Sequence, residues 1–137
     1  MILVDTGPIV ALFDRRDPDH AGCETFLRGI REPLLTTVPV LTEAFHLLSP
    51  GGRAAVALAE FVRRRGLRVH FLDEAALGRA LELMDEYADR PMDLADASLV
   101  VAAEAHRCLT VWTIDRGDFA AYRARVGKGH KAFSVVR

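Results

Sequence analysis

The stretch Ile2-Leu3-Val4-Asp5-Thr6-Gly7-Pro8-Ile9-Val10-Ala11-Leu12-Phe13 decides how the rest of the chain is read. Ile2–Val4 is a short β-favouring run of the kind that fits a buried strand. Pro8 stands where the first turn of a helix tolerates proline, and Pro8–Phe13 continues with helical spacing of apolar side chains. A strand that hands an aspartate directly to a helix indicates an α/β chain.

The same alternation persists outward. Leu34–Thr36, Arg68–Leu72, Leu109–Thr113 and Ala132–Val136 have strand character. Between them, Asp19–Ile30, Val40–Leu48, Arg53–Arg64, Glu74–Tyr87 and Leu94–His106 carry helical periodicity, and Gly51-Gly52 separates two of these helices. Strands alternating with helices predict a mostly parallel sheet covered on both faces. Such sheets hold ligands beyond the carboxyl ends of their strands, near a topological switch point. Asp5 follows the first strand directly, and Asp115 follows Leu109–Thr113 with only Ile114 between, so both acids are expected on one edge of the sheet.

At 137 residues, the chain is expected to form a single domain spanning 1–137. Half of the residues are hydrophobic and 27% are charged, a soluble composition, and no apolar run approaches the roughly 18–20 residues of a membrane span. The N-terminus, with its early acid, is a poor signal peptide. Cys23 and Cys108 are isolated, which suits reduced, buried thiols in a cytoplasmic protein.

The net charge of -1 conceals an uneven distribution. Eight acids lie between Asp73 and Asp96 against only Arg79 and Arg90, whereas the segment from Phe119 onward has five bases and no acid. Arg63, Arg64 and Arg65 add a further basic cluster. Local basic surface attracts phosphate whatever the net charge, although solvated helix faces account equally for each cluster alone.

Each acid also has a structural explanation. Asp5 or Thr6 suits the cap of the first helix. Asp115 suits a turn or cap, and Asp118 the cap of a short Phe119–Tyr122 helix. Glu43 borders the buried stripe of Val40, Leu41, Ala44, Leu47 and Leu48, facing either solvent or the sheet edge. His46, one turn on, fits a surface or packing role. Asp93 and Asp96 share one side of the first turn of a helix that is otherwise nearly free of charge, which suits capping and the helix dipole. Taken together, Asp5, Glu43, Asp96 and Asp115 border one edge. Two carboxylates about 4 Å apart repel by roughly 4 kcal/mol at an effective dielectric near 20. Four in one pocket require a cation or strongly raised pKa values. Acid-rich oxygen sites without Cys or His suit Mg²⁺ or Mn²⁺, ions that serve phosphodiester hydrolysis.

The ordered segments ILVDTGPIVALFD, TTVPVLTEAFHLL, PMDLADASLVVAAE and LTVWTIDRGDF resemble the PIN-domain family of nucleases, and most closely its small VapC-type toxins of bacterial toxin–antitoxin pairs. The resemblance covers essentially the whole chain. It implies a three-layer α/β/α, flavodoxin-like fold with a mostly parallel central sheet, and a metal-dependent endoribonuclease using Mg²⁺ or Mn²⁺. By position it assigns Asp5, Glu43, Asp96 and Asp115 to catalysis, with Asp5, Asp96 and Asp115 as metal ligands and Glu43 and Asp93 as further possible ones. Thr6 and Thr113 match hydroxyl positions that support metal-bound waters, and Arg116 or the basic tail is expected to hold RNA phosphates. The resemblance further implies a single-stranded RNA substrate, a cognate antitoxin that places an Arg or Lys in the acidic pocket, and a homodimer, with Pro39–Arg65 as the expected interface region. Gly7 departs from relatives that carry a small polar residue there.

Other readings fit less well. Asp-Thr-Gly after a hydrophobic run also presents the catalytic aspartate of an aspartic protease, but those proteins are almost entirely β and need two such loops to meet. An aspartyl phosphatase wants a second acid where Gly7 stands. A response-regulator receiver needs a lysine after a late strand, and the only lysines are Lys128 and Lys131 in the tail. The alternative that remains is a PIN-like domain without catalysis that binds RNA or protein. Retention of all four acids argues against it.

Overall fold

The computed structural model describes all residues, 1–137. Strand β1 (Ile2–Val4) is central and pairs in parallel with β2 (Leu34–Thr37) on one side and β4 (Thr110–Trp112) on the other. Beyond them lie β3 (Arg68–His70) and β7 (Ser134–Val136), also parallel, giving the order β3-β2-β1-β4-β7. Every residue of β1 and β2 is buried, as expected of parallel strands with both faces covered.

The strand order fixes where the helices lie. The connections from β1 to β2 and from β2 to β3 run in one direction, and the connection from β3 back to β4 runs in the other. Right-handed crossovers therefore put the two groups of helices on opposite faces. The first group is α1 (Thr6–Phe13), α2 (His20–Gly29), α3 (Val38–Leu47) and α4 (Arg53–Arg63), with α1 packed against the other three. The second is α5 (Glu74–Glu86) and α6 (Leu94–His106). Helix α6 buries Ala95 and every residue from Ala97 to Ala103, and lies over β1 and β2 with α5 beside it. On the other face, Phe26 of α2 packs on Trp112 of β4, and Phe13 of α1 on Phe61 of α4. The architecture is the three-layer α/β/α arrangement with a parallel sheet that the sequence predicts.

The differences are local. Helix α3 starts at Val38, two residues before the expected Val40, because Thr37 caps it and Val38 is exposed and so outside the apolar stripe. The expected strand Ala132–Val136 is two strands that turn at buried Phe133. Its first part belongs to β6 (His130–Ala132), antiparallel to β5 (Arg123–Arg125), and its second is β7. An alternating pattern cannot show which neighbour each half will pair with. The short late helix, α7, runs Arg116–Ala121, so Asp115 rather than Asp118 is its cap.

The acid-rich segment from Asp73 to Asp96 is largely accounted for by these elements. Asp73 and Asp93 cap α5 and α6. Glu82 and Glu86 flank Arg79, which also grips Glu104 of α6 through two hydrogen bonds of 2.9 and 3.1 Å. Both cysteines are free and buried, and burial pushes the Cys23 thiol up to about 11. No helix is long and apolar enough to cross a membrane.

Candidate active site

The order of the central sheet turns back between β1 and β4, and the residues just beyond these two strands meet there. Asp5 ends the ladder with its amide on the Trp112 carbonyl, then caps α1, its Oδ1 accepting from the Thr6 amide at 2.7 Å. Its Oδ2 accepts from Thr113 Oγ1 at 2.7 Å, and the same hydroxyl lies 3.1 Å from the Asp115 carbonyl. Asp115 caps α7 by accepting from the Gly117 amide at 2.9 Å. Thus Asp5, and not Thr6, is the cap. Thr6 is the first helical residue, and its buried Oγ1 has no partner at hydrogen-bond distance, although its hydroxyl lies towards Glu43 and favours the charged form of that side chain.

Two further elements complete the edge. Asp93 caps α6 by accepting from the Asp96 amide at 2.8 Å, and Asp96 Oδ2 accepts from the Tyr122 hydroxyl at 3.0 Å. Thr37, the cap of α3, shares a hydrogen bond with Ser98 of α6. That buried link ties together the helices that carry Glu43 and Asp96.

A cleft of about 470 Å³ opens among these elements, lined by Asp5, Glu43, Asp93, Asp96 and Asp115, with Asp17, Asp19 and Asp118 at the same wall and no basic residue. The electrostatics follow. Burial holds Asp5 above the usual carboxylate range, against the Thr113 and Thr6 hydrogen bonds, and the charges of Asp93 and Asp115 add to it. Burial, then Asp93 and Asp5, raises Glu43. Asp96 is pushed up to about 7, chiefly by burial and then by Asp93 and Asp5, while its Tyr122 hydrogen bond works the other way.

The donor set is all carboxylate and hydroxyl oxygen, with like charges crowded together and no base to neutralise them. That chemistry fits a hard divalent cation. The acids surround a common space without any three of them converging at metal-ligand spacing.

Of the residues singled out in the sequence, Asp5, Thr6, Glu43, Asp93, Asp96 and Asp115 line the cleft, and Thr113 is buried immediately behind it. Arg116 is exposed on the first turn of α7, outside the lining. Gly7 also lines the cleft, and a Cβ there would meet Ile114 at 3.4 Å, so the position has room for a small side chain. Three features were not anticipated: the Asp17 and Asp19 loop, Asp118 at the wall, and the Tyr122 bond. Asp17-Pro18-Asp19 has only a turn signature, and nothing local shows that Asp17 and Asp19 reach the cleft.

A parallel sheet whose switch point opens on a carboxylate-lined cleft is the framework of the PIN domain, and the chain belongs to that family, whose sequence profile matches residues 2–124. Among individual proteins, the chain is 28% identical to ribonuclease VapC26 of Mycobacterium tuberculosis, over 98% of this chain and 99% of the relative. Among solved structures it superposes on VapC20 of M. tuberculosis, a sarcin-ricin loop cleaving toxin, with a TM-score of 0.79 at 24% identity, covering 85% of this chain and 92% of that one. It also matches a toxin–antitoxin complex from Klebsiella pneumoniae with a TM-score of 0.64 at 19% identity, covering 88% and 92%.

Proposed function

We propose that this protein is a divalent-metal-dependent endoribonuclease and the toxin of a toxin–antitoxin pair. The observation that carries this reading is the cleft at the switch point, lined by carboxylates from four separate elements and by no base. Full-length similarity to a named ribonuclease supports the choice of RNA as substrate. In this reading Asp5, Asp96 and Asp115 hold Mg²⁺ or Mn²⁺, with Asp93 at their side. Such an ion, when bound, lowers the pKa of a water and neutralises charge developing on the phosphate. Glu43, half-buried and raised, is placed to orient a water or take its proton. Thr113 keeps Asp5 turned towards the cleft, and Thr6 offers a hydroxyl beside Glu43.

Basic residues available to RNA phosphates are fewer than the tail composition suggests. Arg123 donates to the carbonyls of Ala120, Ala121 and Tyr122, Arg125 pairs with Glu86, and Arg137 donates to the Ile114 carbonyl. Arg116, Lys128 and Lys131 are exposed, and they are assigned to the backbone of a single-stranded substrate.

An antitoxin is inferred from the toxin–antitoxin relatives, and a cleft with this charge suits a partner that inserts an Arg or Lys. A homodimer is also proposed. Its best surface is the apolar groove of about 310 Å³ between Val38, Pro39, Phe71, Leu72, Leu77 and Leu94, where Phe71 is 72% exposed. That face touches the expected Pro39–Arg65 region only at Pro39 and lies mainly on the β3–α5 connection and the starts of α5 and α6.

The test is cleavage of RNA with Mg²⁺ or Mn²⁺, with EDTA and Asp5→Asn as controls. Cleavage is expected with the metal and lost in both controls. Tight RNA or protein binding without cleavage would select the non-catalytic PIN-like module instead.

A further inference from the structure

Tyr122 is completely buried at the end of α7, where the chain turns into β5. Its ring is held edge-on between Tyr87, with centroids 5.1 Å apart, and Phe119, at 5.4 Å. A buried phenol needs a hydrogen-bond partner. The partner here is Asp96 Oδ2, 3.0 Å away and 26 residues earlier in the chain.

The two tyrosines of this cluster use their hydroxyls differently. Tyr87 OH accepts from the Arg123 amide at 3.0 Å and so fixes backbone at the start of β5. Tyr122 OH reaches a side chain that lines the cleft. The terminal torsion of an aspartate is broad, so an unrestrained carboxylate turns freely. With Oδ2 tied to a ring that cannot move, that rotation is stopped and Oδ1, which accepts no hydrogen bond, is left to take a ligand.

We propose that Tyr122 is a positioning residue for Asp96, fixing its carboxylate through Oδ2 so that Oδ1 is presented to a divalent cation in the cleft. The proposal rests on the reading of the cleft as a metal centre. It concerns a residue that does not itself touch metal or substrate. Groups that orient metal ligands in this way commonly change metal affinity by about 10–100-fold when removed.

The experiment is Mn²⁺ binding by titration calorimetry or by the loss of the free-ion paramagnetic resonance signal. It compares the unaltered protein with Tyr122→Phe, Tyr87→Phe and Asp96→Asn, each melted in parallel. Tyr122→Phe is expected to stay folded and to raise the Mn²⁺ dissociation constant about tenfold or more. Tyr87→Phe, which removes the other hydroxyl of the same cluster, is expected to stay within about twofold of the unaltered protein because it leaves the Asp96 bond in place. If Tyr122→Phe melts early, 4-fluorophenylalanine at position 122 fills the hydroxyl's place without donating and repeats the comparison. Binding unchanged in the Tyr122 variant, or weakened equally in Tyr87→Phe, overturns the positioning role alone. No Mn²⁺ binding by the unaltered protein, or binding indifferent to Asp96→Asn, overturns the metal centre and the positioning role with it.

Discussion

Thr113 Oγ1 donates to Asp5 Oδ2 at 2.7 Å, joining the chain just after β4 to the chain just after β1 at the place where the order of the sheet turns back. Thr113→Val keeps the shape and removes the donor, leaving a half-buried carboxylate oxygen unpartnered. It is expected to cost about 1–2 kcal/mol in urea unfolding. It should also lower RNA cleavage by about tenfold or more, with Thr113→Ser recovering both. Full activity in the valine variant would remove Thr113 from the site.

The raised acids are expected to make stability fall as pH rises in metal-free protein. Asp96 is pushed up to about 7 in the folded chain, against about 4 in an unfolded one. Between these values the folded state binds the proton that the unfolded state has released, so unfolding becomes easier with increasing pH. Thermal melts in chelator from about pH 4 to about pH 8 are expected to show a falling contribution that Asp96→Asn removes. At neutral pH the substitution should stabilise by about 1–3 kcal/mol, since each pKa unit corresponds to about 1.4 kcal/mol and the side chain is only partly buried. Identical pH profiles for the two proteins would contradict this.

The Arg79–Glu104 pair is a different kind of charge. Both side chains are largely buried, at 14% and 15% exposed, and Glu104 Oε1 also accepts from the Arg125 amide at 2.9 Å. Glu104→Ala leaves a buried guanidinium with only the outer partners Glu82 and Glu86. It is expected to cost about 3 kcal/mol and to speed amide exchange in the β5–β6 hairpin more than in the parallel sheet. Uniform acceleration across the chain would show that the pair does not anchor the hairpin.

The exposed apolar groove predicts concentration-dependent assembly. Phe71→Asp is expected to shift the protein towards monomer in analytical ultracentrifugation with little change in melting temperature, because Phe71 is not part of the core. An unchanged sedimentation coefficient would show that this groove is not an interface between two copies of the chain.

The architecture was legible because strands and helices alternate with different periods and because Asp5 and Asp115 each follow a strand. The near absence of charge along α6 was legible in the sequence, and the structure buries every residue from Ala97 to Ala103. What could not be read was contact between distant residues. The Tyr122–Asp96 bond spans two elements packed through the core, and the Asp17–Asp19 loop carries only turn chemistry. Asp118 was given the cap that belongs to Asp115, because the helix was expected to begin at Phe119, whereas α7 begins at Arg116 and holds Asp118 in its first turn. The basic tail was expected to hold RNA phosphates, yet Arg123, Arg125 and Arg137 are engaged within the molecule.

The position of β1 has a consequence for how the protein comes into being. This first strand is the centre of the sheet, and its second neighbour, β4, is translated more than a hundred residues after it. Asp5 is therefore made well before Thr113, Asp115 and the Asp96–Tyr122 pair, and it meets them only after the long stretch between has been added. A nascent or prematurely terminated chain would have the acids of the first half and no cleft, so synthesis itself would delay the appearance of activity.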